Sequence, residues 1–166
     1  MSVSDEEKEA LLGAFEALHD ETKTNRSLKK IITVPYIYLM VTFVCLLTYT
    51  QIFRVEVVQH YTLIHDLSLY ESDMLIRVKG LIGLLGVGLF TLSFCLERGL
   101  AVTGLILLTV LIHGFFDDVT ARMVTPGAMQ DLTMNGIMLL RLALIATLAR
   151  ITQICLRHVK SRNCDI

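Results

Sequence analysis

Four apolar blocks, at residues 31–53, 75–96, 99–116 and 134–156, leave this chain few ways to fold. The hydrocarbon core of a bilayer is about 30 Å thick, and a helix needs roughly 20 apolar residues to cross it. The shortest block, 99–116, still reaches about 27 Å at 1.5 Å per residue. Only Glu97 and Arg98 separate it from the block before. One helix through both would be far too long for a single crossing, so the chain turns back there, and Gly99 eases the turn. Apolar residues make up 54% of the chain and mean hydropathy is +0.61. A soluble domain is nearer 45–50% apolar. The expected fold is an all-α integral membrane protein with four transmembrane helices. Pro35 falls in the first turn of the first span, where proline is tolerated.

Lysines and arginines set the expected orientation. With both termini inside, the inner side receives Lys8, Lys23, Arg26, Lys29, Lys30, Arg98, Arg157, Lys160 and Arg162. The outer side receives Arg54, Arg77, Lys79 and Arg122, and Arg77 and Lys79 are placed to snorkel to the interface. The expectation is N-in and C-in, with both termini cytoplasmic and the chain in a bacterial inner membrane. The acidic start lacks the pattern of a secretory signal peptide, so the first span serves for insertion. Net charge is −1, which points to no nucleic-acid partner. Cys45, Cys95, Cys155 and Cys164 match no metal spacing and read as small buried hydrophobes.

The flanking segments divide the chain further. Residues 1–30 are expected to form a cytoplasmic acidic amphipathic helix followed by a basic juxtamembrane linker (Lys23, Arg26, Lys29, Lys30), and 157–166 a basic cytoplasmic tail. Ser4 followed by Glu7 has capping-box spacing, and Leu11, Ala14, Phe15 and Leu18 recur as one helical face. The polar face is acidic and anionic lipid would repel it. A short amphipathic helix that binds a protein partner through Leu11, Phe15 and Leu18 is expected; the alternative is a frayed tail. The loop at 54–74 reads two ways. Its apolar residues alternate as in a strand, yet positions 60, 64, 67, 71 and 74 also share a helix face.

Arg141 lies inside the last block, between Leu140 and Leu142. A charge at the centre of a membrane helix costs at least about 2.5–3.5 kcal/mol and must find protein or water. Thr109, His113 and Asp117 form a stripe at steps of four on the third span, and Asp118 follows. The expected constellation is an intramembrane ionic cluster of Arg141, His113, Asp117 and Asp118. It reads either as a polar path for an anion or a proton, or as a structural clamp, and the clamp is favoured because buried charges are normally paired. Arg150 lies on the opposite face of the fourth span. If neither arginine meets lipid, that helix is covered on two sides, which favours an oligomer or a larger complex. Gly80, Gly83, Gly86 and Gly88 make a small-residue seam for helix packing. His60, His65 and His113 are weak candidate metal ligands, and no compact ligand motif joins them. No cofactor, metal or catalytic residue is expected.

The Gln51-x-x-Arg54 pair at the end of the first span, with Glu71 ahead of a glycine-bearing second span, resembles the small four-helix membrane subunit of TRAP transporters. The likeness covers about a third of the chain. It departs at the tryptophan expected near the acidic residue, since this chain has none, and at a longer loop. The leading expectation for function is a non-catalytic or assembly subunit of a membrane complex, in contact with lipid and with other subunits or its own copies. The alternative is transport, as a homo-oligomeric pore or, as the resemblance implies, the small membrane subunit of a carrier.

Overall fold

The computed structural model describes the backbone of residues 5–96 and 99–164, and side chains at 12–14, 28–96 and 99–158. The described chain is helical throughout, with no strand. Helix α1 spans Asp5–Ile52, α2 Arg54–His65, α3 Leu69–Leu96, α4 Leu100–Val124 and α5 Leu132–Cys164, with a 3-10 turn at Ala128–Gln130 before α5. Four stretches are long and apolar enough to cross a membrane: Leu28–Ile52, Leu69–Leu96, Leu100–Val124 and Leu132–His158. Each is longer than the apolar block that announces it, because its polar ends stay helical. In α4 the extension places Asp117 and Asp118 on the helix rather than in a loop.

Two expectations are corrected at the N-terminal side. The segment before the first span is not a separate short helix, because α1 runs unbroken for 48 residues. Pro35 therefore lies in a helix interior, not a first turn. Its ring removes one ladder bond, a loss that membrane helices tolerate when neighbours support the backbone. Ser4 and the side chains of Leu11, Phe15 and Leu18 lie outside the described residues.

The ambiguous loop resolves as helix. Val57, His60, Tyr61 and Ile64 are its buried residues, spaced as one helical face. Asp66 ends α2 in the left-handed conformation (φ 52°), and its N–H donates to the Thr62 carbonyl. Ser68 and Glu71 then form a capping box that starts α3. The Glu71 carboxylate accepts from Ser68 N at 2.9 Å and Ser68 Oγ at 2.6 Å, while Glu71 N donates to Ser68 Oγ. Glu71, quoted above for the TRAP likeness, here serves its own helix end. Gly99 at φ +69° leads into α4 and Gly127 at φ +79° into the 3-10 turn, a region favourable for glycine. Asp131 Oδ1 accepts from Met134 N at 3.1 Å and caps α5.

α5 packs along α1 and α4, and α3 lies against α4. The main core joins Ile32, Leu39 and Phe43 of α1, Phe90 and Phe94 of α3, Leu107 of α4 and Leu144, Leu148 and Ile151 of α5. A second core holds Val57 and Tyr61 of α2 against Met134 and Ile137 of α5. The α1–α2, α3-proximal and α4–α5 connections gather at the end of the bundle away from the chain termini, here called the distal end. Outward faces carry Val34, Val41, Leu81, Leu85, Leu89, Val102, Ile106 and Leu139, all exposed and suited to lipid contact.

The glycine seam divides. A side chain at Gly83 or Gly86 would meet Phe43 or Leu107, whereas Gly80 and Gly88 face open space. The tightest approaches against less yielding neighbours fall elsewhere. A Cβ at Gly104 would lie 2.7 Å from Thr152 Oγ1, and one at Gly136 2.7 Å from the Tyr49 hydroxyl.

Candidate functional site

Asp118 is the centre of the distal half of the bundle, and it is fully buried. It belongs to the inward stripe of α4, following Leu107, Leu111 and Gly114 at helical steps. Asp117, 100° away around the helix, is largely exposed. Three other helices converge on Asp118. The Tyr61 hydroxyl of α2 donates to Oδ2 at 2.8 Å. Lys79 Nζ of α3 donates to Oδ1 at 2.7 Å. Arg141 of α5 donates to Oδ2 from one guanidinium nitrogen and to the Tyr61 hydroxyl, at 3.2 Å, from the other. Tyr61 therefore accepts from a cation and donates to a carboxylate, an arrangement in which each bond polarises the next. The ammonium of Lys79 also sits 4.9 Å from the Tyr61 ring centroid and 3.7 Å from Asp117.

Two carboxylates and two cations make the group neutral. That balance suits a site withdrawn from water, where an uncompensated charge is expensive. Lys79 turns out to be a member of the cluster rather than a side chain that only snorkels.

His65 lies beside the cluster, its Nε2 3.9 Å from Asp118 Oδ1 and its ring stacked on Tyr61. Burial, then the nearby Lys79 charge, push its pKa below the ordinary value, against a smaller pull from Asp117. His60 is buried further along α2 and donates from Nδ1 to Asp131 at 2.9 Å. Burial holds its pKa down as well, although Asp131 pulls it up. Its Nε2 has no hydrogen-bond partner among the described residues. Next to it Arg122, also buried, donates to the Ala128 carbonyl at 2.9 Å and to Asn135 Oδ1 at 2.8 Å, which ties α4 to the start of α5.

The structure thus brings Arg141 and Asp118 together, with Asp117 at the edge. It does not bring in His113, which is exposed on α4 and makes no hydrogen bond or ion pair among the described residues. Tyr61 and Lys79 are the members that sequence reasoning missed, and it singles out His65 only as a weak metal ligand. A periodicity signal for two of the contacts existed: Tyr61 lies on the Val57–Ile64 face, and Asp118 continues the Leu107–Gly114 stripe. Arg150 is exposed on the opposite face of α5 from Arg141 and donates to Gln153 Oε1 at 3.0 Å.

The metal candidates do not converge as a trio. His60 pairs with Asp131 and His113 is exposed, which leaves His65, Asp117 and Asp118, whose ligand atoms lie within 4.8 Å of one another. The donor types suit a divalent cation. However, Lys79 already contacts both carboxylates and Arg141 holds Asp118. A cation here would add two charges to a neutral cluster unless Lys79 left.

No protein-family model, curated protein or solved structure matches the chain. The likeness to the small TRAP subunit thus rests on the residues quoted for it.

Proposed function

We propose that the chain is a non-catalytic subunit or assembly factor of a membrane protein complex, set in a bacterial inner membrane with both termini cytoplasmic. The observation that carries this reading is the length of α1. Residues 5–27, which precede the apolar block in the sequence, belong to the same helix as the first span. At 1.5 Å per residue this adds roughly 35 Å. Helices gain most of their stability by packing an amphipathic face, and the sequence of this segment spaces Leu11, Phe15 and Leu18 as one helical face among acidic residues. A helical stalk with such a face suits capture of a protein partner or of a second copy. The excess of lysine and arginine near the terminal end supports the orientation.

The neutral Asp118 cluster supports the same reading. Its charges are already committed to one another, which suits a fastening between helices better than a path for an anion or a proton. Blue-native electrophoresis after mild detergent extraction tests the proposal. The full chain should migrate in a complex larger than a monomer, and deletion of residues 1–21 should release it. A lone monomer, unchanged by the deletion, would defeat the proposal.

A further inference from the structure

A groove of about 310 Å³ runs between α4 and α5 near the terminal end of the bundle, lined by Leu105, Leu108, Ala149, Thr152, Gln153, Leu156 and Arg157. Its walls are almost wholly apolar, and it lies at membrane depth on both helices. The volume equals on the order of ten water-sized units, enough for a length of acyl chain. The polar atoms are placed unevenly. Gln153 and Arg157 stand at the end nearest the chain terminus. Arg150, one heptad before Arg157 and so on nearly the same side of α5, donates to Gln153. Side chains on a helix ordinarily lean toward its N-terminus. Arg150 instead bonds a residue three positions nearer the chain terminus. Arg157 is exposed and has no ion pair among the described residues, and no carboxylate lines the groove. Thr152, 1% exposed, lines the groove with its hydroxyl packed toward Gly104 of α4.

The geometry points to a binding site for an anionic phospholipid, with one acyl chain in the α4–α5 groove and the phosphate held by Arg157 and Arg150. The apolar length selects a lipid over a free anion. Two guanidiniums without a neighbouring carboxylate select a negative headgroup over a zwitterionic one. Arg150, bonded to Gln153, and Arg157 stand one heptad apart on nearly the same side of α5, close to the end of the span. The site uses no residue of the Asp118 cluster and none of the 5–27 stalk, so it stands or falls apart from the proposed function.

Native mass spectrometry of the full chain, released from micelles doped with phosphatidylglycerol or phosphatidylcholine, reads the site directly. Phosphatidylglycerol should be retained as a discrete adduct and phosphatidylcholine should not. A charge-assisted contact is worth about a factor of ten, so the paired substitutions Arg150→Gln and Arg157→Gln should cut retention at least that far. Ala149→Phe, which fills the groove and spares both arginines, should cut it as well. Both variants should keep their helical circular dichroism. Excess inorganic phosphate should not displace the adduct. Equal retention of the two lipids, or an adduct that survives either variant, would overturn the assignment. Displacement by inorganic phosphate would also overturn it, since the site would then bind an anion without its acyl chain.

Discussion

Lys79→Ala should both weaken the bundle and free His65, Asp117 and Asp118 to hold a metal ion that the Lys79 charge opposes. In the native structure the ammonium lies 2.7 Å from Asp118 Oδ1 and 3.7 Å from Asp117 Oδ2. Removing it takes the cluster from neutral to −1 and strips one charged donor from a fully buried carboxylate. A hydrogen bond to a charged group is worth about 1.5–3 kcal/mol. The Lys79 side chain is 26% exposed and water enters in its place, so the loss should fall near the lower end, about 1–2 kcal/mol. The same change leaves His65, Asp117 and Asp118 with ligand atoms within 4.8 Å and one uncompensated negative charge. Zn²⁺ accepts this donor set. The chain has no tryptophan, so reversible unfolding in mixed micelles is best followed by far-UV circular dichroism, with chelator or with Zn²⁺. The native chain should unfold at the same denaturant concentration in both. The variant should unfold earlier in chelator and recover with Zn²⁺, by about 2.7 kcal/mol at a hundredfold excess over its dissociation constant. Equal stabilisation of the native chain by Zn²⁺ would show that Lys79 does not bar the ion. An unchanged midpoint for the variant in chelator would show that Lys79 does not hold the cluster.

Two further outcomes are expected. Acid should weaken the fold: His60 and His65 have folded pKa values below about 6.5, their ordinary value, so the unfolded chain takes up these protons first. Stability should be full above about pH 6.5 and fall below it, by at most about 1.4 kcal/mol per pH unit for each histidine. Unfolding at stepped pH should show this slope, and His60→Asn should reduce it. Among the glycines, Gly104→Ala should destabilise by about 1–2 kcal/mol, since stiff Thr152 and Phe90 crowd the new methyl. Gly80→Ala and Gly88→Ala, which meet nothing within 4 Å, should be neutral or stabilising by up to about 1 kcal/mol in the same assay.

The four membrane-length helices were legible because each block is long and apolar, and Arg141 announced a partner because a lone guanidinium inside such a block is costly. Which partner was harder. Asp117 and Asp118 are adjacent in sequence, and a 100° step decides that one faces water and the other the core. Grouping Asp117 with His113 at steps of four followed the wrong face, whereas the small and apolar residues Leu107, Leu111 and Gly114 mark the inner one. Tyr61 was hidden because the 54–74 segment fits two periods, and the choice between them is made by packing against α5, which no local pattern records. Lys79 was read by its distance from a span end that the helix then overran. The length of α1 was missed for a related reason: the basic stretch 23–30 reads as a linker, yet lysine and arginine are good helix formers.

A double-mutant cycle between Asp118→Asn and Arg141→Gln tests most directly whether the membrane-depth arginine is neutralised as a structural clamp. Asp118→Asn leaves Arg141 without its carboxylate and should cost about 3–5 kcal/mol, whereas after Arg141→Gln the Asp118 carboxylate keeps Lys79 and Tyr61 and the cost should be smaller. The double variant should cost well under the sum, with a coupling energy of about 1.5–3 kcal/mol measured by unfolding in micelles. Losses that simply add, within about 0.5 kcal/mol, would mean that the two side chains do not hold each other and would contradict the clamp.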